Sequence, residues 1–311
     1  MAYRLTPRDK QLHVKLPPLQ GLGKKPIRSS IFPYPENVTT LIGKSGSGKT
    51  IAMYNMMEDH VKNTPLVERD PLVDKGSAVI PQLEFGIPQV DMTQFQLGFG
   101  ISGGASSQEE KAKEKKRYHR RMEVFIFSPT LHSDEVMKSL INFLRKSGVK
   151  VMTKISTYDD AGKINLLAGL IEKIQKEDDL RDQQGEDAEE PYDKYIIIDD
   201  ASEEIKKNPQ VAALTKKASH IGGGLKNVII STQDPKDLAP SSLNNVKNTL
   251  IFGKLPYERV KHLHDKMGID IPEHLLQKIW QDATADKNGF LWVDNKSNKF
   301  YKNFTHEYSF G

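Results

Sequence analysis

The chain of 311 residues contains no cysteine, no long apolar run and no strong excess of either charge. Without cysteine, disulfide bonds, thiolate metal ligands and cysteine nucleophiles are excluded. A membrane-spanning helix needs roughly 18 consecutive apolar residues, so we expect no membrane insertion. The first residues lack the apolar core of a secretory signal, so we expect a non-secreted, intracellular protein. A net charge of +4 is too small to indicate nucleic-acid binding by itself.

One short motif carries most of the chemical information. Residues 43–50 have the spacing of a phosphate-binding loop, with a strand-like run before them and a helix-like run after them. Its glycines let backbone N–H groups turn toward phosphates at the positive end of the helix. A chance match is the alternative, and the flanking strand and helix argue against it. The predicted nucleotide-binding residues are Gly43, Lys44, Ser45, Gly46, Ser47, Gly48, Lys49 and Thr50.

The loop also predicts the cofactors. In such loops the lysine bridges the β- and γ-phosphates, and the hydroxyl that follows it ligates magnesium. We therefore expect ATP and Mg²⁺, with Lys49 as a catalytic residue and Thr50 as a metal ligand.

A second motif has the form of a Walker B strand. The apolar run 195–198 leads directly into Asp199 and Asp200. Asp199 is predicted to bind Mg²⁺, and Asp200 to activate the attacking water. Alternatively, Asp200 or Ser202 caps the next helix, with Glu203 completing a capping box. Glu203 and Glu204 are also substitute candidates for the base.

A third motif is the strand-like run 228–232, which ends at Gln233. The carboxyl ends of parallel strands form the ligand-binding edge of a sheet, so Gln233 is predicted to reach the γ-phosphate or the water. The alternative is a glutamine that caps the turn before Pro235.

The distribution of apolar residues predicts an α/β fold with a mostly parallel central sheet flanked by helices. Apolar runs such as 124–127 and 195–198 do not alternate with polar residues, which is typical of strands covered on both faces. The predicted strands are 38–42, 123–127, 149–155, 195–198 and 227–231.

Four segments are predicted around this core. Residues 1–36 form a basic extended arm, which is either a clamp on DNA or a neighbouring subunit or a solvated tail. Residues 37–311 form one ATPase domain. Within it, 64–122 is an insertion, either partly disordered or a docking module, because it is too long for an ordinary connection. Residues 253–311 form a lid of two helices and a hairpin.

One further stretch, residues 177–190, contains eight acids and one arginine. We expect a solvated loop that faces away from any DNA, because it would repel phosphates.

The motifs at 43–50, at Asp199-Asp200 and at 231–233 together resemble the FtsK/HerA superfamily of DNA-pumping ATPases. The similarity is greatest to the poxvirus-type packaging ATPases of large DNA viruses, virophages and polinton-like viruses, and 127–130 and 233–252 also fit it. It covers roughly residues 36–305. The resemblance implies a RecA-like P-loop NTPase core with an extra strand between the loop strand and the Walker B strand. It also implies a homo-oligomeric ring that threads double-stranded DNA.

The expected function is therefore an ATP-driven motor that moves double-stranded viral DNA into a preformed capsid. It would work as a pentamer or hexamer, dock on capsid vertex or portal proteins, and act in the virion or at the host-cell site of virus assembly. Two alternatives stay open. One is a plasmid- or conjugative-type DNA translocase, and the other is an ATP-binding structural assembly factor with little hydrolysis.

The sequence departs from the viral pattern at its arginines. Relatives place an Arg-His pair before the glutamine strand and an arginine after it, but 219–224 and 242–245 contain no arginine. Arg145, Arg181 and Arg259 are candidates for an arginine that acts on a neighbouring subunit; the alternative is that they are surface charges. Lys216, Lys217 and Lys226 near the Gly222–Gly224 loop are candidate DNA contacts, and the alternative is that they are solvated.

Overall fold

The computed structural model describes residues 3–7, 37–64, 66–68, 118–159, 161–185, 191–222 and 224–310. The chain divides into two compact units, residues 1–66 with 120–311 and residues 67–119. Most of the predicted arm and nearly all of the predicted insertion lie outside the described residues, so their roles stay predictions.

A ten-stranded sheet dominates the larger unit. Its strand order is β1-β12-β11-β10-β9-β2-β8-β7-β5-β6, and β3 pairs with β4 in a separate two-stranded sheet. The strands are β1 (Tyr3–Pro7), β2 (Asn37–Ile42), β3 (Leu66–Glu68), β4 (Tyr118–Arg120), β5 (Met122–Phe127), β6 (Lys150–Lys154), β7 (Asp193–Asp199), β8 (Leu225–Thr232), β9 (Asn248–Phe252), β10 (Phe290–Asp294), β11 (Lys299–Lys302) and β12 (His306–Phe310).

Helices cover both faces of this sheet. The described helices are α1 (Lys49–Asn63), α2 (Glu135–Lys146), α3 (Leu166–Gln184), α4 (Ser202–Lys207), α5 (Pro209–Lys217), α6 (Pro240–Leu243), α7 (Tyr257–Met267) and α8 (Glu273–Ala283). Apolar residues of α1 and α2 pack on one face, and those of α3, α5, α7 and α8 pack on the other. No helix among the described residues is long and apolar enough to cross a bilayer.

The central strands are buried because side chains from both faces enter a core. Tyr195, Ile196, Ile197 and Ile198 of β7 are all fully buried, with even-numbered and odd-numbered residues in different clusters. Strands β9, β2, β8, β7, β5 and β6 are mutually parallel. The predicted α/β class with a mostly parallel sheet is confirmed. Strand β8 lies between β2 and β7, which is the extra strand that the resemblance implied.

The C-terminal region contains the predicted helices and hairpin, and the hairpin continues the central sheet. Strand β10 pairs antiparallel with β9, and β11 and β12 follow. Strand β1 then pairs antiparallel with β12, so part of the predicted arm is a sheet strand. Because β2 pairs with β9 and β9 pairs with β10, neither β2 nor β9 has an exposed hydrogen-bonding edge.

The acidic block at 177–190 is not simply a loop, and that prediction was wrong for its first half. Helix α3 extends to Gln184, with Asn165 capping its start and Gly185 at its end at φ 68. Glu177 pairs with Lys194 of β7 at 3.0 Å, which gives this half a partner on the sheet. Residues 186–190 lie outside the described residues.

Candidate nucleotide site

The phosphate-binding loop joins the end of β2 to the start of α1. The backbone N–H of Gly43 donates to the carbonyl of Thr232 at 3.1 Å, which ties the loop to the end of β8. A Cβ at Gly43 would lie 2.6 Å from Cβ of Phe252, so the loop passes too close to β9 for a side chain. Gly48 has φ 103, a conformation that favours glycine. The positive end of α1 is therefore held at the carboxyl edge of the sheet.

Lys49 is buried within this loop. Its ammonium donates to the carbonyl oxygens of Gly43 at 2.6 Å and Lys44 at 3.3 Å. Burial lowers the pKa of Lys49, and Asp200, Asp199 and Asp134 oppose the change. The ammonium thus faces carboxylates from two different loops of the chain.

Asp199 is the last residue of β7 and is almost fully buried. Burial raises the pKa of Asp199 to about 6, which the Ser231 hydroxyl and Lys49 oppose and which Asp200 and Asp134 reinforce. The carboxylate is costly to keep charged in the protein alone, so a cation beside it would be stabilising.

Asp200 begins a sharp turn directly after the strand. Its φ of 49 is unusual for a residue with a side chain, and its N–H donates to the carbonyl of Ser231 at 3.1 Å. The amide nitrogen of Gln233 donates to Oδ1 of Asp200 at 2.8 Å. The second and third motifs are therefore joined by a direct side-chain hydrogen bond.

The capping alternatives do not fit these contacts. Helix α4 has Ala201 at its N-cap and no side-chain cap, so neither Asp200 nor Ser202 caps it. Asp234 rather than Gln233 caps the turn at Pro235 by accepting from the N–H of Lys236 at 3.0 Å.

The substitute bases are also directed elsewhere. Glu204 accepts from the N–H and the hydroxyl of Thr157, both at 2.7 Å. Glu203 is exposed and pairs with Lys207 at 2.8 Å. Neither carboxylate lines the cavity described next.

A cavity of about 340 Å³ collects most of the predicted residues. This volume is within the usual range for small-molecule sites. Its lining residues are Ser45, Gly46, Gly48, Lys49, Thr50, Ile51, Thr130, Ser133, Asp134, Val136, Asp199, Asp200 and Asn288. Of the other predicted residues, Gly43, Lys44 and Ser47 belong to the same loop without lining the cavity, and Gln233 reaches it through Asp200.

The lining fits a magnesium–triphosphate group. The lining offers a lysine, a threonine hydroxyl and a helix N-terminus for phosphates, together with the carboxylates of Asp199 and Asp200. Among the described residues, no group of three or more His, Asp or Glu side chains could hold a metal ion. Mg²⁺ that binds together with a nucleotide needs only one or two carboxylates, because phosphates and water supply its remaining oxygens.

Comparison with known proteins finds matches among solved structures. This chain is similar to a viral genome-packaging NTPase. The genome packaging NTPase B204 from Sulfolobus turreted icosahedral virus 2, solved in complex with AMP, has 17% identity and a TM-score of 0.43 over 88% of this chain and 98% of that chain. The DNA-packaging ATPase B204 from Sulfolobus Turreted Icosahedral Virus has 13% identity and a TM-score of 0.42 over 86% of this chain and 96% of that chain.

A bacterial structure also matches. EssC (ATPases 2 and 3) from Geobacillus thermodenitrificans has 11% identity and a TM-score of 0.37 over 79% of this chain and 45% of that chain. No protein-family profile and no curated protein sequence matches the chain. Similarity at these identities concerns the fold, so the function must be argued from the residues of this chain.

Six cavity residues were not among the predicted site residues: Ile51, Thr130, Ser133, Asp134, Val136 and Asn288. Asp134 caps α2 by accepting from the N–H groups of Val136 and Met137, and a polar residue before an apolar helix is a readable capping signal. That signal does not show that Asp134 also contacts Thr50. Asn288 lies in the turn before β10, and no local pattern distinguishes it from other turn residues.

The three arginine candidates do not line the cavity. Arg145 is exposed on α2, Arg181 pairs with Asp178, and Arg259 pairs with Asp234 at 2.7 Å. Among the described residues, no arginine contributes to the cavity wall. An arginine from another subunit remains a prediction.

The glycine loop before β8 serves close packing. A Cβ at Gly222 would lie 1.9 Å from Oδ2 of Asp178, and one at Gly224 would lie 2.2 Å from the carbonyl of Tyr192. Lys226 pairs with Asp193 at 3.5 Å. DNA bound to the lysines near this loop would approach the acidic end of α3. The prediction that these lysines contact DNA therefore conflicts with the prediction that the acidic block faces away from DNA.

Proposed function

We propose that this chain is an ATP-driven motor that moves double-stranded DNA into a preformed viral capsid. The observation that carries the proposal is the hydrogen bond from Gln233 to Asp200, because Asp200 lines a cavity together with Lys49, Thr50 and Asp199. This hydrogen bond connects Asp200, the proposed base that activates water, with Gln233, which follows the neighbouring strand β8. A simple phosphate-binding site does not need that connection.

Each residue has a proposed role in hydrolysis. The loop and Lys49 hold the phosphates, and Thr50 and Asp199 hold Mg²⁺, which when bound neutralises charge that develops on phosphate oxygens. Asp200 takes the proton of the attacking water. Gln233 orients Asp200 through its amide, so movement of the β8 end changes the position of the base.

That last contact offers a route from hydrolysis to DNA movement. Gln233 follows β8, and Arg259 of α7 pairs with the adjacent Asp234. A shift at Gln233 would therefore reach the C-terminal helices through one ion pair. We propose that the working unit is a ring of five or six copies around duplex DNA, docked on capsid vertex or portal proteins in the virion or at the site of virus assembly.

ATP hydrolysis measured with and without duplex DNA tests the proposal. We expect duplex DNA to increase phosphate release by the wild-type protein. Gln233→Ala should keep part of the basal hydrolysis, because Asp200 remains, but lose the increase, and Gln277→Ala on α8 serves as a matched control outside the cavity. Full DNA-stimulated hydrolysis with Asp199 and Asp200 both changed to asparagine would show that the site is wrongly assigned.

A second candidate is a structural assembly factor that binds ATP and hardly hydrolyses it. The lack of an arginine in the cavity wall, among the described residues, favours this candidate. Tight nucleotide binding without DNA-stimulated phosphate release, both before and after the chain assembles into an oligomer, would favour this candidate over the motor.

A further inference from the structure

The segment after β5 contacts both predicted magnesium ligands. The hydroxyl of Ser128 donates to Oδ2 of Asp199 at 3.5 Å, the long limit of a hydrogen bond. Six residues later, Oδ2 of Asp134 accepts from the hydroxyl of Thr50 at 3.2 Å. One short connection thus lies against residues from two other parts of the chain.

Asp134 is held firmly for this contact. Its Oδ1 accepts from the N–H groups of Val136 at 2.8 Å and Met137 at 3.1 Å, as the N-cap of α2. Its own N–H donates to the carbonyl of Thr130 at 2.9 Å. The cap uses one carboxylate oxygen, so the other is fixed in its direction toward Thr50.

The chemistry of the threonine ligand gives this contact a purpose. A hydroxyl that ligates a metal through a lone pair must direct its proton toward another acceptor. Residues that accept hydrogen bonds from metal ligands orient those ligands and tune metal affinity. In this structure Asp134 is the acceptor for Thr50.

We propose that Asp134 is a positioning residue for magnesium, acting through Thr50. It accepts the proton of the Thr50 hydroxyl, turns the lone pairs of that oxygen toward the metal position, and adds a negative charge near it. This inference rests on the proposed function, because it requires that Thr50 binds Mg²⁺.

The test compares nucleotide binding with and without the metal. The probe is a fluorescent, slowly hydrolysed ATP analogue, titrated against full-length protein in excess Mg²⁺ and again in EDTA. Asp134→Asn keeps an N-cap oxygen for α2 but places an amide N–H₂ opposite Thr50. We expect affinity in Mg²⁺ to fall about tenfold and affinity in EDTA to change less than about twofold.

Controls separate positioning from folding and general charge. Asp159→Asn removes the charge of another carboxylate that accepts backbone N–H groups, those of Lys163 and Ile164, outside the cavity. Asp134→Ser keeps a cap but is too short to reach Thr50, so it should reproduce the loss if Asp134→Asn folds poorly. In a Thr50→Val background, Asp134→Asn should cause no further loss that depends on Mg²⁺.

The outcomes are distinguishable. Equal losses in Mg²⁺ and EDTA, or an Asp134→Asn protein that behaves like Asp159→Asn, would overturn the inference while leaving the nucleotide site intact. A wild-type protein whose nucleotide binding gains nothing from Mg²⁺ would overturn the proposed function, and the inference with it.

Discussion

The two halves of the ten-stranded sheet both contain buried core residues but differ in what they carry. Strands β9, β2, β8, β7, β5 and β6 are parallel, whereas β10, β11, β12 and β1 are antiparallel. Ile197 in the first half is 0% exposed and Trp292 in the second is 1% exposed. Burial therefore does not explain why the cavity belongs to the parallel half.

Strand direction explains it. The carboxyl ends of parallel strands meet at one edge, so residues that follow β2, β7 and β8 converge there. Antiparallel strands end alternately at opposite edges. Of the cavity-lining residues, only Asn288 comes from beyond β9. We expect changes in the parallel half to affect chemistry and changes in the antiparallel half to affect stability.

The largest expected effect is the loss of catalysis in Lys49→Ala. Removing a preorganised positive group at the phosphates should reduce ATP turnover by about a thousandfold. The measurement is phosphate release with duplex DNA present. Lys299→Ala in the antiparallel half removes an exposed lysine that pairs with Glu307 and should leave turnover unchanged. Similar turnover in the two variants would contradict the assignment of the chemistry to the parallel half.

The next largest effect is on stability and comes from the other half. Trp292→Ala should lower the free energy of unfolding by about 3–5 kcal/mol, because it leaves a large cavity and removes the donor to Asn248. Urea denaturation measures this change. The control is Met152→Ala, which shortens a half-exposed side chain in the parallel half. At a temperature where the variant is folded, its nucleotide affinity should match that of the wild type.

Asp200→Asn separates binding from chemistry within the parallel half. The asparagine oxygen can still accept from Gln233, but it cannot take a proton from water. ATP should remain bound while hydrolysis falls about a hundredfold. Nucleotide binding and single-turnover hydrolysis are measured together. Asp294→Asn, at the turn after β10 where Asp294 accepts from the N–H of Lys296, is the matched control. Unchanged cleavage would remove Asp200 from the mechanism.

Gly48→Ala tests the contact between the phosphate-binding loop and Asn288, which lies two residues before β10 of the antiparallel half. Its Cβ would lie 2.7 Å from Cβ of Asn288, at a backbone φ of 103. We expect nucleotide affinity to fall by about 1–2 kcal/mol. Asn288→Gly in the same protein should restore part of the loss, because it removes the clash but not the backbone strain. No rescue would indicate that strain alone causes the loss.

The smallest effect is a pH dependence from Asp199. Burial raises the pKa of Asp199 to about 6, so the carboxylate needed for Mg²⁺ becomes protonated as pH falls through that value. Nucleotide affinity that depends on Mg²⁺ should fall by at most about tenfold per pH unit below 6. The same raised pKa means that Asp199 stabilises the metal-free fold at low pH and that this stabilisation is lost as pH rises through about 6.

Asp199→Asn should remove the contribution of Asp199 to both the pH dependence of Mg²⁺-dependent nucleotide affinity and the pH dependence of stability. Its metal-free form should be more stable than the wild type at pH 8, because no buried charge forms. Thermal unfolding in EDTA at several pH values measures this difference. If the stability of the wild type rose between pH 4 and 6 by as much as that of the variant, this result would contradict the raised pKa of Asp199.

Local motifs were easier to interpret than segments that depend on long-range contacts. The sequence predicts two helices between residues 253 and 311, and the structure has α7 and α8 there. The acidic stretch from Glu177 was expected to be a loop because its composition is polar. It continues α3 because Lys173, Lys194 and Arg181 offer partners for its carboxylates.

The α/β class, the phosphate-binding loop and the candidates Asp199, Asp200 and Gln233 could be predicted from the amino-acid sequence. These features depend on short spacing and on apolar runs, which neighbouring residues specify directly. The folded structure was needed to show that Asp134, 84 positions from Thr50, accepts its hydrogen bond. It was also needed to show that Asn288 lies against Gly48 and that Tyr3–Pro7 pairs at the edge of the sheet. Such contacts depend on how distant segments pack, and no local pattern records that.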